Sequence, residues 1–223
     1  FDLAQAFGPE VLSCPPVAAY VAKTITFDPR SGNPPPRILE TAGGMINAIG
    51  LAGEGLEAFL DERLPRLRRL PCPVIVSIGG FSLQEYVLLA SSIRRRLEED
   101  PLKGGAAADW RSCLGLEVNI SCPNVHSGCA SIGTDASETE RVVAAVRDVW
   151  PGLLVAKLTP NVTDLPAIGR AAEKGGADAL AAVNTFKGLV IDRRTLRPFL
   201  GNVTGGLSGP AIKPLALGCV YEL

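Results

Sequence analysis

Leu116-Glu117-Val118-Asn119-Ile120-Ser121-Cys122-Pro123-Asn124 decides how this chain is read. Leu114, Leu116, Val118 and Ile120 form a short apolar run of the kind buried in a parallel sheet, and the run breaks off into polar residues and a proline. The turn that follows carries a thiol, two amides and a hydroxyl within six residues. In α/β architectures ligands sit at the carboxyl ends of the strands, so this is where chemistry would be placed. A blander reading competes, because free cysteine is among the most buried residue types and Asn and Pro are ordinary turn formers.

Working outward, four further apolar runs read as strands, at about 17–22, 73–78, 153–158 and 178–183, making five with 114–120. Helical patterns alternate with them. Leu56 to Leu70 has apolar residues at helical spacing, disturbed by Pro65. Ser82 with Glu85 and Ser137 with Glu140 read as capping boxes opening helices to about Glu98 and Trp150, and a helix over 164–174 stops at Gly175-Gly176. Thr26 to Gly55 reads as a long loop, stiffened by Pro34-Pro35-Pro36, and Val190 to Asn202 as an excursion with turn chemistry. Asn47 lies among apolar residues, where an amide needs a partner in protein or ligand. Gly209-Pro210 reads as a close backbone approach at the start of a final helix, a place that favours an anion.

Strand, loop and helix in repetition predict βαβ units on a parallel sheet. Neither G-x-G-x-x-G after a strand nor G-x-x-x-x-G-K-[ST] occurs, which leaves the (β/α)8 barrel as the expected class, one domain over residues 1–223 with about five of eight strands. The start at Phe1 and the stop at Leu223, inside an apparent helix, read as a fragment.

With a net charge of −1 and 5% aromatic residues, the chain has neither the positive field nor the stacking platform of a nucleic-acid binder. Charged residues, glycine or proline interrupt every apolar run before it reaches membrane-spanning length, and a cytoplasmic protein is expected. Six cysteines form no CxxC pair, and His126 is the sole histidine, so reduced thiols are expected and no metal site.

Six motifs in register then resemble the class 1 dihydroorotate dehydrogenases, most closely the class 1B branch that works with an iron–sulfur/FAD electron-transfer subunit. They are 32–37 (Gly-Asn-Pro-Pro-Pro-Arg), 47–51 (Asn-Ala-Ile-Gly-Leu), 119–124 (Asn-Ile-Ser-Cys-Pro-Asn), 157–162 (Lys-Leu-Thr-Pro-Asn-Val), Asn184-Thr185 and 204–210 (Thr-Gly-Gly-Leu-Ser-Gly-Pro). The resemblance implies oxidation of dihydroorotate to orotate in pyrimidine synthesis, with a hydride passing to FMN and Cys122 acting as general base. A thiol suits that step if its thiolate is accessible and well aimed. The resemblance places substrate at Lys23, Asn47, Ala48, Ile49, Gly50, Leu51, Asn119, Asn184 and Thr185. It places FMN at Lys23, Thr24, Asn119, Lys157, Val183 and Gly209, with Lys157 as a fixed cation beside the flavin ring. Amides supply both donors and acceptors, matching the alternating edge of a dihydropyrimidine. A homodimer or heterotetramer is implied, with nicotinamide through the partner subunit, or fumarate, as electron acceptor.

Departures from the family pattern are Ser77, where a flavin-contacting Asn is common, and the family's first and last two strands, which would lie outside the chain. As printed, the chain is expected to hold FMN poorly. Two rivals stand beside this reading. A dihydropyrimidine dehydrogenase-like enzyme shares the Lys-Leu-Thr-Pro-Asn-Val stretch but carries its catalytic cysteine further along the loop, near Ile132 here. The other is an inactive truncated barrel or partner-binding scaffold, since fold alone implies no activity.

Overall fold

The computed structural model describes residues 18–70, 72–99, 114–121 and 132–223. Cys14, Cys113, Cys122, Pro123, Asn124, His126, Cys129 and the 100–109 insertion lie outside them.

All five expected strands form: β1 (Tyr20–Val21), β4 (Val74–Ile78), β5 (Leu114–Asn119), β6 (Leu154–Lys157) and β7 (Ala179–Ala181). They pair in parallel in the order β1-β4-β5-β6-β7, so the sheet grows in one direction along the chain, as in a (β/α)8 barrel. Three helices lie between consecutive strands: α2 (Leu83–Glu99), α3 (Ala136–Val149) and α4 (Leu165–Lys174). Their apolar stripes close over the sheet, burying Leu89, Ile93, Val142, Val146 and Ile168 against Val76, Val118 and Ala156. No helix among the described residues is long and apolar enough to cross a membrane.

Caps account for where these helices begin. Asp164 accepts from Ala167 N at 2.9 Å and fixes the start of α4. Glu85 N donates to Ser82 Oγ at 3.2 Å, while the Glu85 carboxylate reaches back one residue further than in a standard capping box, to Phe81 N at 2.8 Å. For α3 the expected Ser137–Glu140 box is not what caps the helix. Asp135, in extended backbone, accepts from Glu138 N at 2.9 Å, and the helix is already under way at Ala136. The stretch expected over 56–70 is helical over 55–67, here α1, but its middle part, Phe59–Arg63, has π-type bonding. Pro65 follows in the last turn, where it removes an N–H and crowds the preceding carbonyl.

The main correction concerns the presumed loops. Residues 38–47 fold as a hairpin, β2 (Ile38–Thr41) and β3 (Gly44–Asn47), and the glycine-rich run after the excursion is a strand, β11 (Thr204–Ser208). With β8 (Phe186–Leu189) they form an antiparallel sheet in the order β2-β3-β11-β8. A short ribbon, β9 (Ile191–Asp192) and β10 (Arg197–Pro198), projects beside it, and α5 (Lys213–Glu222) ends the chain. The second sheet has a small core of its own, made by Ile46, Ala48 and Leu200.

Candidate active site

The two sheets meet around a cleft of about 520 Å³, a size typical of small-molecule and cofactor sites. Its floor is the carboxyl ends of the parallel strands, and its roof is β3, the 48–51 segment and β11.

Two bulges aim the floor residues. Ala22 N bonds Ile75 O at 2.8 Å and Ile25 N bonds Ser77 O at 2.9 Å, so three steps along the first chain face two along β4. The extra residue lets the consecutive Lys23 and Thr24 both line the cleft. After β7 the same happens: Leu158 O accepts from Asn184 N at 2.9 Å, where a regular ladder would use Val183 N. Asn184 and Thr185 thereby both reach the site.

A buried polar chain runs beneath. Ser77 and Thr24 share a hydroxyl–hydroxyl bond of 2.8 Å, and Asn119 Nδ2 donates to Thr24 Oγ1 at 3.0 Å. Ser121 Oγ donates to Asn119 Oδ1 at 2.6 Å and accepts from Asn184 Nδ2 at 2.5 Å. Tyr86 holds the strand end through its hydroxyl, which donates to Asn119 O at 2.8 Å. Four strand ends are thus tied by hydrogen-bonded side chains, of which Thr24, Ser77, Asn119 and Ser121 are almost wholly buried and Asn184 half-buried, an arrangement that holds the amides in place.

The roof is shaped by the Gly32–Arg37 motif. Asn33 N donates to Ile49 O at 3.0 Å, Asn33 Nδ2 to Ala48 O at 3.1 Å, and Arg37 Nε closes back on Asn33 O. Asn47 Nδ2 lies 3.4 Å from Gly206 O, across the pairing of β3 with β11. At Gly206 a Cβ would stand 1.9 Å from Thr185 Oγ1, so roof and floor approach too closely there for any side chain.

Lys23, Thr24, Asn47, Ala48, Ile49, Gly50, Leu51, Asn119, Lys157, Asn184 and Thr185 all line the cleft. Val183 and Gly209 are not in its lining: Val183 packs against the main core, and Gly209, at φ +103°, sits where a Cβ would meet Gly44 Cα at 2.7 Å. The lining also includes Asn161, Lys187, Asn202, Val203, Thr204, Gly205 and Gly206, to which the sequence reading gave no role. Asn161 and 204–206 lay inside quoted motifs, whereas Lys187 and Asn202 carried no local signal. Asn161 is a clamp: Nδ2 donates to Thr185 O at 3.0 Å, and Oδ1 accepts from Lys187 N at 2.8 Å. The ammonium of Lys157, half-buried at the end of β6, has no hydrogen bond or ion pair with the described residues. Amide donors and ammonium groups together suit a ligand rich in carbonyl or anionic oxygen.

The sequence model of the family described as "Dihydroorotate dehydrogenase" matches residues 10–223. Curated relatives named "Dihydroorotate dehydrogenase B (NAD(+)), catalytic subunit" include those of Desulforudis audaxviator, 49% identical over 93% of this chain and 63% of the relative, and of Pelobacter propionicus, 47% identical over 93% and 64%. That of Trichlorobacter lovleyi is 46% identical over 93% and 64%. The chain therefore spans about 63–64% of the length of these relatives.

Proposed function

The chain belongs to the dihydroorotate dehydrogenase family, and from that premise we propose that it oxidises dihydroorotate to orotate in pyrimidine synthesis, on one FMN-binding domain spanning residues 1–223. One observation carries this reading: amides, hydroxyls and a half-buried lysine from separate strand ends converge on one cleft of ligand size.

The donors that line the cleft suit the ring carbonyls of a flavin as well as those of a pyrimidine, although the strands expected to hold the FMN phosphate lie outside this chain. Lys157 is a half-buried cation that a bound anionic group would compensate, and Lys23, Thr24 and Asn119 line the same wall, so these four are assigned to FMN. FMN, when bound, supplies the hydride acceptor. The remaining work belongs to the chain's own groups. Asn47, Asn119, Asn184, Thr185 and the 48–51 backbone hold the pyrimidine ring in one plane by hydrogen bonds to its edge. The base is Cys122, which follows Ser121 in sequence; its thiolate takes the proton from the ring carbon next to the one that loses hydride. This assignment rests on the 119–124 motif.

The relatives' names carry "catalytic subunit" and "NAD(+)", which supports a partner subunit and nicotinamide as electron acceptor; an iron–sulfur/FAD subunit, and a homodimer or heterotetramer, are proposed from the motif resemblance. A cytosolic location goes with this reading.

The test is anaerobic bleaching of the flavin in the full-length protein. Dihydroorotate should bleach it and dihydrouracil should not, with bleaching slowed at least ~100-fold in Cys122→Ala. Bleaching by dihydrouracil instead would transfer the assignment to a dihydropyrimidine dehydrogenase-like enzyme.

A further inference from the structure

We propose that Ser121 is a positioning residue whose hydroxyl fixes which way the Asn119 and Asn184 amides face, so that the floor of the cleft reads acceptor atoms on the ligand and leaves donor atoms to the roof. The proposal deepens the pyrimidine reading above and rests on it for the identity of the ligand.

A serine hydroxyl has one proton to give and lone pairs to receive with. Ser121 uses both: it donates to Asn119 Oδ1 at 2.6 Å and accepts from Asn184 Nδ2 at 2.5 Å. Asn119 Oδ1 also accepts from Ser121 N at 3.3 Å, so turning that amide over would set its NH2 against a backbone N–H. Asn184 Oδ1 likewise accepts from Thr185 N at 2.8 Å, and a flip there would also bring two donors together. Each oxygen is therefore turned onto the protein. Asn119 has one N–H left after donating to Thr24 Oγ1, and Asn184 one left after donating to Ser121. Both residues line the cleft, so their uncommitted N–H groups are donors for a ligand carbonyl or carboxylate.

Asn47 is the complement. Its Nδ2 is directed at Gly206 O, while its Oδ1 accepts no hydrogen bond from the described residues, so the roof offers an acceptor for a ring N–H. Amides at opposite faces of the cleft are thus assigned opposite roles. Ser121 contributes no atom to the cleft lining, is 1% exposed, and acts through the two asparagines.

The experiment uses the full-length, FMN-loaded protein and two probes: orotate, and its analogue with the 4-oxo group replaced by an amino group, which exchanges an acceptor for a donor at that position and the neighbouring ring N–H for an acceptor, so that it mismatches floor and roof together. Calorimetric titration of the wild type should show orotate preferred at least ~100-fold, the kind of discrimination made by a site whose polar groups would be left unpaired. In Ser121→Ala the preference should fall at least ~10-fold, because each amide then loses its hydroxyl partner and is oriented less strongly, with a backbone N–H still on its oxygen, and Ser121→Thr should recover it. A ligand-free arm follows the side-chain NH2 signals of 15N-labelled asparagine. Those of Asn119 and Asn184 should shift in Ser121→Ala, while those of Asn161, held by Thr159 and Thr185, should not.

Equal binding of the two probes to the wild type would overturn the proposal, and needs no variant to fold. So would an unchanged preference in a folded Ser121→Ala. If neither probe bound the wild type but the Asn119 and Asn184 signals still depended on Ser121, the substrate reading would fail and the positioning role would stand.

Discussion

On the proposed function, Lys157 is a single side chain set for a ligand at the expense of the empty protein. It stands beside Asn119 in the register of β5 with β6, half out of water and without a described counter-charge. A partly desolvated, unpaired ammonium costs folding free energy, and an anionic ligand returns it. Replacing it by the similarly long, uncharged Lys157→Met should therefore leave the melting temperature of the flavin-free protein unchanged or a few degrees higher. FMN affinity should fall at least ~10-fold, since one charge-assisted contact is lost. Differential scanning fluorimetry with a flavin titration checks both; a large drop in melting temperature without flavin would mean that Lys157 has a structural partner. Cys72 is the contrasting case. It precedes β4, at the end of the strand away from the cleft, and burial pushes its thiol up from the ordinary value, which keeps it protonated and unreactive at neutral pH.

Among the elements, β11 carries the most consequence for the site. It pairs with β3 on one side and β8 on the other, and its Gly205-Gly206 backbone forms part of the cleft wall. Gly206→Ala should destabilise the protein by about 1–3 kcal/mol, as overpacking does, and displace Thr185, weakening orotate binding as well. Gly218→Ala is the control. A Cβ there meets nothing within 4 Å, on a helix where alanine is favoured over glycine, and stability should rise by about 0.5–1 kcal/mol. Urea unfolding separates the two, and equal effects would contradict the close approach at Gly206. These strands were also what the sequence concealed. The parallel strands announced themselves as unbroken apolar runs, because both of their faces are covered. In β2 half-buried and exposed residues alternate over only four positions next to a proline run, and β11 is a Thr-Gly-Gly-Leu-Ser segment with little strand propensity. The pairing of β11 with β3 joins residues about 160 positions apart, which local pattern cannot reveal. The same limit hid Lys187 and Asn202, whereas Lys23, Asn119 and Asn184 followed from strand ends and motifs. Ser121 was visible as a residue but not as a link, because its two partners belong to different strands.

At the scale of the molecule the two sheets are unequally anchored. The parallel sheet lies under α2, α3 and α4, with Val76, Val118 and Ala156 wholly buried. The antiparallel sheet rests on Ile46, Ala48 and Leu200 and leaves Ile38, Met45 and Leu189 exposed. Local opening is easier where fewer apolar groups are buried, so the free protein should exchange amide hydrogens over β2, β3, β8 and β11 well before those of β4, β5 and β6. The cleft is where the sheets face each other, and on the proposed function a ligand held by Asn119 and Asn184 below and by Asn47 above would bridge them. Orotate at 100 times its dissociation constant stabilises the closed form by about 2.7 kcal/mol, and that gain acts on every opening that breaks the bridge. Hydrogen-exchange mass spectrometry should therefore show orotate slowing exchange over 44–51 and 204–206 at the short labelling times at which those segments open locally, while any slowing over α2 and α3 appears only at the longest times, where exchange proceeds through global unfolding. Protection confined to the parallel strands would show that the antiparallel sheet takes no part in binding, and the roof would then lose its role in recognition.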